Sequence, residues 1–123
     1  MKGRFPAKQF VARGRPRKQA GEMNNTEKEY AAQLEAMKVA GEILWYAYES
    51  IKLRLAKKTW LTVDFFVMRS DCSLEAHEVK GGHWEDDARA KIKIAAEHYP
   101  FRIIAAQKLP KKAGGGWRVE EFG

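Results

Sequence analysis

The sequence predicts an α+β fold in which a central mixed sheet is flanked by helices. Its 123 residues are enough for a single folded domain with a modest core. Two stretches carry apolar residues at helical spacing. The runs between and after them are short, apolar and bounded by turn residues, as strands are. The predicted order is helix, three strands, helix, strand.

A basic arm precedes the predicted fold. Residues 1–21 hold seven of the 23 Lys and Arg residues and no Asp or Glu, which accounts for the whole net charge of +7. Residues 1–24 show no sustained periodicity and are predicted to be disordered in isolation. A cationic segment of this kind favours polyanions, nucleic acid first, and a solubilising tail is the alternative.

Within the arm, residues 13–18 read RGRPRK and resemble an AT-hook, a motif that enters the minor groove of A·T-rich DNA. An extended Gly-Arg-Pro backbone fits that narrow groove, whose negative potential attracts arginine. General attraction to phosphates is the simpler alternative. Either role would use Arg13, Arg15, Arg17 and Lys18.

The predicted folded domain, residues 25–123, opens with a helix. Thr26 followed by Glu29 matches a capping box, and apolar residues recur at helical spacing as far as Gly41, a helix stop signal. Glu27 falls on the buried stripe of this helix, at its N-terminal end. It is either an acid that complements the helix dipole or a third carboxylate for a site formed by the strands.

Two strand-like runs follow the first helix. Residues 43–50 read as one strand with a bend near Glu49, and residues 51–55 alternate strictly between apolar and basic side chains. The alternation places Lys52 and Arg54 on one face. That face is either an ordinary solvated surface, which is the more usual case, or a contact for a DNA backbone.

A hairpin spanning residues 61–80 contains acids on otherwise apolar strands, although Asp and Glu are poor strand formers. A turn centred on Asp71 brings Asp64 opposite Glu78, where like charges about 5 Å apart repel each other. A divalent cation would remove this repulsion, and hard carboxylate oxygens suit Mg²⁺ or Mn²⁺. The same register pairs Met68 with Leu74 and Phe66 with Ala76.

This pattern predicts metal-dependent cleavage of a phosphodiester bond. Asp64 and Glu78 would hold Mg²⁺, with Mn²⁺ as a substitute, and the backbone carbonyl of Val79 would add a neutral oxygen ligand. Lys80 projects from the same face as Glu78 and would orient water and stabilise charge in the transition state. Glu27 would bind a second metal ion or a water on the first. His77 points to the opposite face and is not a predicted ligand.

The C-terminal part supplies a second helix and two strands. A Gly-Gly-His-Trp elbow follows Lys80, and the helix then runs from residues 85–87 to Pro100. His83 in the elbow is predicted to be a surface residue or a DNA contact. Residues 101–106 read as a buried strand, and residues 117–122 as a short final strand.

The order Glu27, Asp64, Glu78-Val-Lys80 on an αβββαβ layout resembles the PD-(D/E)xK nuclease superfamily. The blocks from Thr26-Glu27 to Gly41-Glu42-Ile43, Thr62-x-Asp64-Phe65 with His77-Glu78-Val79-Lys80-Gly81, and Asp87-Ala88-Arg89-x-Lys91-Ile92-Lys93 resemble small phage-encoded endonucleases grouped with Holliday-junction resolvases. The resemblance covers residues 24–122. The chain departs from the superfamily pattern at Val63, where a proline commonly precedes the first motif acid.

The resemblance implies a restriction-endonuclease-like core and a DNA endonuclease selective for branched structures. It implies that Asp64 and Glu78 bind magnesium, that Glu27 is the acid contributed by the helix, and that Lys80 is the catalytic lysine. It also implies a homodimer, because two symmetrical cuts need two sites. Finally, it implies that the second helix contacts DNA through Arg89, Lys91 and Lys93.

Two other functions remain open at this level: a non-catalytic protein that binds DNA through the basic arm, and a nuclease directed at RNA. The single cysteine, Cys72, excludes an internal disulfide framework and a multi-cysteine zinc site. A cytoplasmic location is expected, in the bacterial host if the protein is encoded by a phage. No signal peptide or membrane-spanning run is predicted.

Overall fold

The computed structural model describes residues 21–122 of the chain. The AT-hook-like residues of the predicted arm lie outside this range. The helices and strands are α1 (Asn25–Val39), β1 (Ile43–Tyr48), β2 (Lys52–Ala56), β3 (Thr59–Thr62), β4 (Phe65–Arg69), β5 (Leu74–Lys80), α2 (Asp86–His98), β6 (Arg102–Lys108) and β7 (Trp117–Phe122), with a short 3-10 helix at Lys111–Ala113.

Five strands form a mixed sheet in the order β1-β4-β5-β6-β7, and β2 and β3 form a separate two-stranded sheet. Strands β5 and β6 are parallel, and the other neighbours in the large sheet are antiparallel. Helices α1 and α2 flank this sheet, which confirms the predicted α+β class. The predicted order of elements is present in α1, β1, β4, β5, α2 and β6. The β2–β3 hairpin is an insertion between β1 and β4, and β7 forms an edge.

The residue that caps the N-terminus of helix α1 lies two residues before the predicted cap. The predicted capping box of Thr26 with Glu29 is wrong: the cap is Asn24, whose side chain accepts a hydrogen bond from the Glu27 backbone N–H at 2.8 Å. The Glu27 carboxylate returns a bond to the Asn24 N–H at 3.0 Å. Asn24 and Glu27 have the same spacing as Thr26 and Glu29, so the sequence pattern fits both pairs. Gly41, with φ of 81°, ends the helix as predicted.

The central hairpin has the predicted register, with Phe66 opposite Ala76 and Met68 opposite Leu74. The first apolar run of the predicted hairpin, which starts at residue 61, is nevertheless divided between two strands, β3 and β4. Residues 59–62 pair with β2, and the chain then leaves that hairpin before β4 starts at Phe65. Asp64 therefore lies directly before β4 rather than within a continuous strand.

Side chains alternate between two buried clusters on the two faces of the large sheet. One face packs against α1 through a cluster that contains Leu34, Phe65 and Val79. The other packs against α2 and the β2–β3 hairpin, where Leu53 and Ile92 are buried. The chain bends at Glu49, as predicted, with φ of 48°. None of the helices within residues 21–122 is long and apolar enough to cross a membrane.

Candidate active site

Asp64 and Glu78 are joined by a reciprocal pair of hydrogen bonds between β4 and β5. The backbone N–H of Asp64 donates to Glu78 Oε2 at 2.9 Å, and the backbone N–H of Val79 donates to Asp64 Oδ2 at 2.8 Å. Each carboxylate is thus held against the backbone of the other strand. The register of the hairpin brings the two acids together, as the sequence pattern requires.

Glu78 is 3 % exposed, and its pKa is raised from 4.5 to about 8. Burial is the largest cause, because a charged carboxylate loses its hydration. The negative charge of Asp64 raises the pKa further, and that of Glu27 adds a smaller increase. The hydrogen bond from the Asp64 backbone and the charge of Lys80 act in the opposite direction. Together these surroundings favour the protonated form of Glu78 in the absence of a bound metal ion.

Glu27 lies at the start of α1 and is buried, as its place on the apolar stripe predicts. Its Oε1 accepts the capping bond from Asn24 and a second hydrogen bond from the Tyr48 hydroxyl at 2.8 Å. These bonds give Glu27 a structural task at the helix terminus. Its charge also acts on Glu78, so both of the other predicted acids lie within electrostatic range of Glu78.

Lys80 is half-buried at the end of β5, and its ammonium group lies 5.5 Å from the centre of the Trp84 ring. Attraction between the cation and the negative face of the ring holds the side chain there. Lys80 shares a cleft of about 450 Å³ with Glu78. The cleft is lined by Leu61, Glu78, Lys80, Glu85, Asp87, Ala88 and Lys91.

The oxygen atoms at this site suit Mg²⁺ chemically. Val79 donates its N–H towards Asp64, and the N–H and C=O of one strand residue point to the same side, so its carbonyl also faces Asp64. Two carboxylates and a carbonyl are a common protein share of a magnesium shell, which water and phosphate complete. Among residues 21–122, no group of three or more His, Cys, Asp and Glu side chains is arranged to hold a metal ion.

The three residues of α2 that were predicted to contact DNA differ from one another in their contacts within the domain. Arg89 lies over the Trp84 ring at 4.2 Å and donates to Glu120 at 2.8 Å, so it is engaged within the domain. Lys91 lines the cleft and donates to the Trp60 carbonyl at 3.2 Å. Lys93 is exposed. The four cations of the AT-hook-like motif fall outside the described residues.

A second polar cluster, which the sequence reasoning did not identify, lies on the α1 face of β5. Glu75 Oε1 is 2.8 Å from His77 Nε2, and His77 Nδ1 is 2.6 Å from the Tyr30 hydroxyl. Arg102 donates to Glu75 Oε2 at 2.9 Å. The Glu-x-His spacing was the available signal, since alternate residues of a strand share a face.

Comparisons of the chain with known proteins give no relative: no family model, no curated protein and no solved structure matches it.

Proposed function

We propose that the chain is a magnesium-dependent endonuclease that hydrolyses phosphodiester bonds in DNA. One observation carries the proposal: the carboxylates of Asp64 and Glu78 are packed together, and Glu78 lines a cleft that Lys80 also lines. Burying two acids side by side costs free energy. A bound divalent cation would offset that cost, and the lysine is placed for phosphate chemistry.

Asp64, Glu78 and the Val79 carbonyl would hold the cation. Bound Mg²⁺ would polarise the phosphate and lower the pKa of a water molecule. The two reciprocal hydrogen bonds keep both carboxylates oriented before the cation arrives, which limits the ordering cost of binding. The cleft beside them has room for one phosphodiester group and its flanking sugars.

Lys80 would donate hydrogen bonds from its ammonium group to the attacking water and to a phosphate oxygen. Its contact with the Trp84 ring keeps the charge beside Glu78, so little reorganisation is needed as charge develops in the transition state. Lys91, which also lines the cleft, would hold an adjacent phosphate. Glu27 would assist through its negative charge, on a second metal ion or on a water bound to the first.

The resemblance to junction resolvases extends the proposal to branched DNA as the substrate and to a homodimer that makes paired cuts. The basic arm would increase affinity for any DNA through its seven cations, because each phosphate contact releases a counterion. Mn²⁺ would substitute for Mg²⁺ at the same oxygen ligands. The cytoplasm is the proposed location, that of the bacterial host for a phage-encoded enzyme.

The test is a cleavage assay on labelled four-way junction, duplex DNA, single-stranded DNA and RNA, with Mg²⁺ or with EDTA. Wild type should cut DNA with Mg²⁺, and Asp64→Ala and Glu78→Ala should each abolish cutting. Glu97→Ala, which removes an exposed acid on α2, is the matched control and should cut normally. Circular dichroism checks that each variant is folded. Normal cutting by both site variants would show that the proposed site is wrong, and cutting of RNA alone would redirect the substrate.

A second candidate is a DNA-binding protein without catalysis. The observation that favours it is that all three acids have structural bonds: Asp64 and Glu78 accept backbone N–H groups, and Glu27 caps α1. In that case the protein would bind DNA equally well with Mg²⁺ or EDTA and leave every substrate intact. The increase in melting temperature on adding Mg²⁺ would also be no larger for wild type than for Glu78→Ala.

A further inference from the structure

The β2–β3 hairpin carries cations without acids. Residues 50–63 contain four Lys and Arg residues and no Asp or Glu. The hairpin alternates strictly, so that Leu53 and Leu55 are buried against α2 while the residues between them are exposed. The exposed side chains on the outer face are Lys52, Arg54, Trp60 and Thr62. This face is distinct from the cleft that holds Glu78.

Trp60 occupies the centre of this outer face. It is 45 % exposed, and the register of the hairpin places Arg54 directly opposite it. The ammonium group of Lys52 lies 5.4 Å from the centre of its ring. Leaving almost half of an indole in water forgoes hydrophobic stabilisation, so the position does not serve the core. An exposed aromatic face framed by cations is the arrangement that binds nucleic acid strands, with a base on the ring and phosphates on the cations.

The tip of the hairpin extends the positive surface. Lys57 and Lys58 are both exposed there, and Lys58 has φ of 60° within a tight turn. The base of the hairpin adjoins the candidate active site, because Leu61 lines the same cleft as Glu78. Lys91, which also lines that cleft, donates to the Trp60 carbonyl. A DNA strand bound in the cleft would therefore lie close to the base of the hairpin.

We propose that the outer face of the β2–β3 hairpin binds single-stranded DNA, with an unpaired base stacked on Trp60 and phosphates on Lys52, Arg54 and the two tip lysines. The choice of DNA as the polyanion rests on the proposed function. Base pairs in a continuous duplex have no exposed ring face, so stacking on Trp60 selects DNA with unpaired bases, as at a branch point or an overhang. The hairpin would thus recognise the departure from duplex structure while the cleft cuts the backbone.

The test is fluorescence anisotropy of the full chain with a labelled thymidine oligonucleotide and with a duplex of equal length, both in EDTA. Trp60→Ala should weaken single-strand binding about 10-fold or more and change duplex binding by less than about 2-fold. Trp60→Phe should restore most of the affinity, since the ring remains. The matched control is Trp45→Ala on edge strand β1, a tryptophan that is 41 % exposed. It should bind like wild type.

The cations are tested by Lys57→Gln with Lys58→Gln. The slope of log affinity against log salt should fall by about 0.7 for each lost single-strand phosphate contact. The matched control is Lys28→Gln with Lys38→Gln on α1, where both lysines are exposed, and its slope should equal that of wild type.

Several results would overturn this proposal: Trp60→Ala binding within 2-fold of wild type, an equal loss with Trp45→Ala, or an equal loss of single-strand and duplex binding. Tighter Trp60-dependent binding to an RNA oligonucleotide would overturn the choice of DNA. Because binding is measured in EDTA, the outcome does not depend on cleavage. If Asp64→Ala cuts normally while Trp60→Ala loses single-strand affinity, the active-site proposal fails and the hairpin surface stands.

Discussion

Two buried glutamates on β5 experience opposite surroundings. Glu75 and Glu78 are 1 % and 3 % exposed, and only two residues lie between them. Burial raises the pKa of both carboxyl groups. At Glu75 the hydrogen bond and charge of His77 and the charges of Arg69 and Arg102 outweigh burial, and the pKa falls below its usual value. At Glu78 the neighbouring Asp64 adds to burial, and the pKa rises to about 8.

The difference shows that burial alone does not identify a functional acid. Glu75 lies on the α1 face, where cationic partners satisfy its charge within the domain. Glu78 lies on the α2 face, where burial and the charges of Asp64 and Glu27 outweigh the charge of Lys80, so a bound cation would supply the remaining compensation. A buried acid among acids is the stronger candidate for metal binding. The variants Glu75→Gln and Glu78→Gln separate the two roles, because Gln keeps the size of the side chain and cannot carry a negative charge.

The largest expected effect is on cleavage. Glu78→Gln should lower the rate of Mg²⁺-dependent cutting by about 1,000-fold, because loss of a charged ligand removes several kcal/mol of transition-state stabilisation. Glu75→Gln should stay within a few-fold of wild type per folded molecule. Single-turnover cleavage with the enzyme in excess measures both. Equal losses of cleavage rate in the two variants would mean that both glutamates affect cleavage only by stabilising the fold, and that Glu78 has no direct role.

The second effect is on pH-dependent stability without metal. The pKa of Glu78 is higher in the folded than in the unfolded protein, so its contribution to the free energy of unfolding falls as pH rises from about 4.5 to about 8. The loss should reach about 4 kcal/mol at pH 8, and Glu78→Gln should abolish it. Urea titrations of wild type and variant at pH 5 and pH 8, in EDTA, provide the measurement. A parallel pH profile in the two proteins would contradict the raised pKa.

The smallest effect is the structural cost at Glu75. Glu75→Gln should lower the free energy of unfolding at pH 7 by about 2 kcal/mol, less than for a fully buried pair because Arg102 is half-exposed. The lowered pKa of Glu75 means that this stabilising contribution is present above the unfolded pKa and is lost as pH falls through the folded one. Wild type and variant should therefore converge at acidic pH in the same titrations. A Glu75→Gln variant as stable as wild type at pH 7 would show that the cations of this cluster stabilise nothing.

The features readable from the sequence depend on local spacing. The hairpin register that unites Asp64 with Glu78 follows from a short turn and from alternation with a period of two. The helices, the bend at Glu49 and the outward lysine and arginine of β2 follow from similar patterns.

The features that the sequence did not reveal depend on distant partners. The cluster around Glu75 requires Tyr30, which lies 47 residues from His77, and Arg102, which lies 27 residues from Glu75. The break between β3 and β4 exists because β3 pairs with β2. The sequence there is a single apolar-rich run and does not show where one strand ends and the next begins.

The two ends of the inserted segment that carries the β2–β3 hairpin meet at a single point. The Glu49 N–H donates to the Asp64 carbonyl at 2.9 Å, so the chain leaves the large sheet and returns to it at nearly the same place. The order of the five strands therefore does not depend on the length of this segment, whereas Leu53 and Leu55 fix its inner face to the core. If the hairpin selects the substrate, its exposed outer face could change while the buried face and the cleft stay the same.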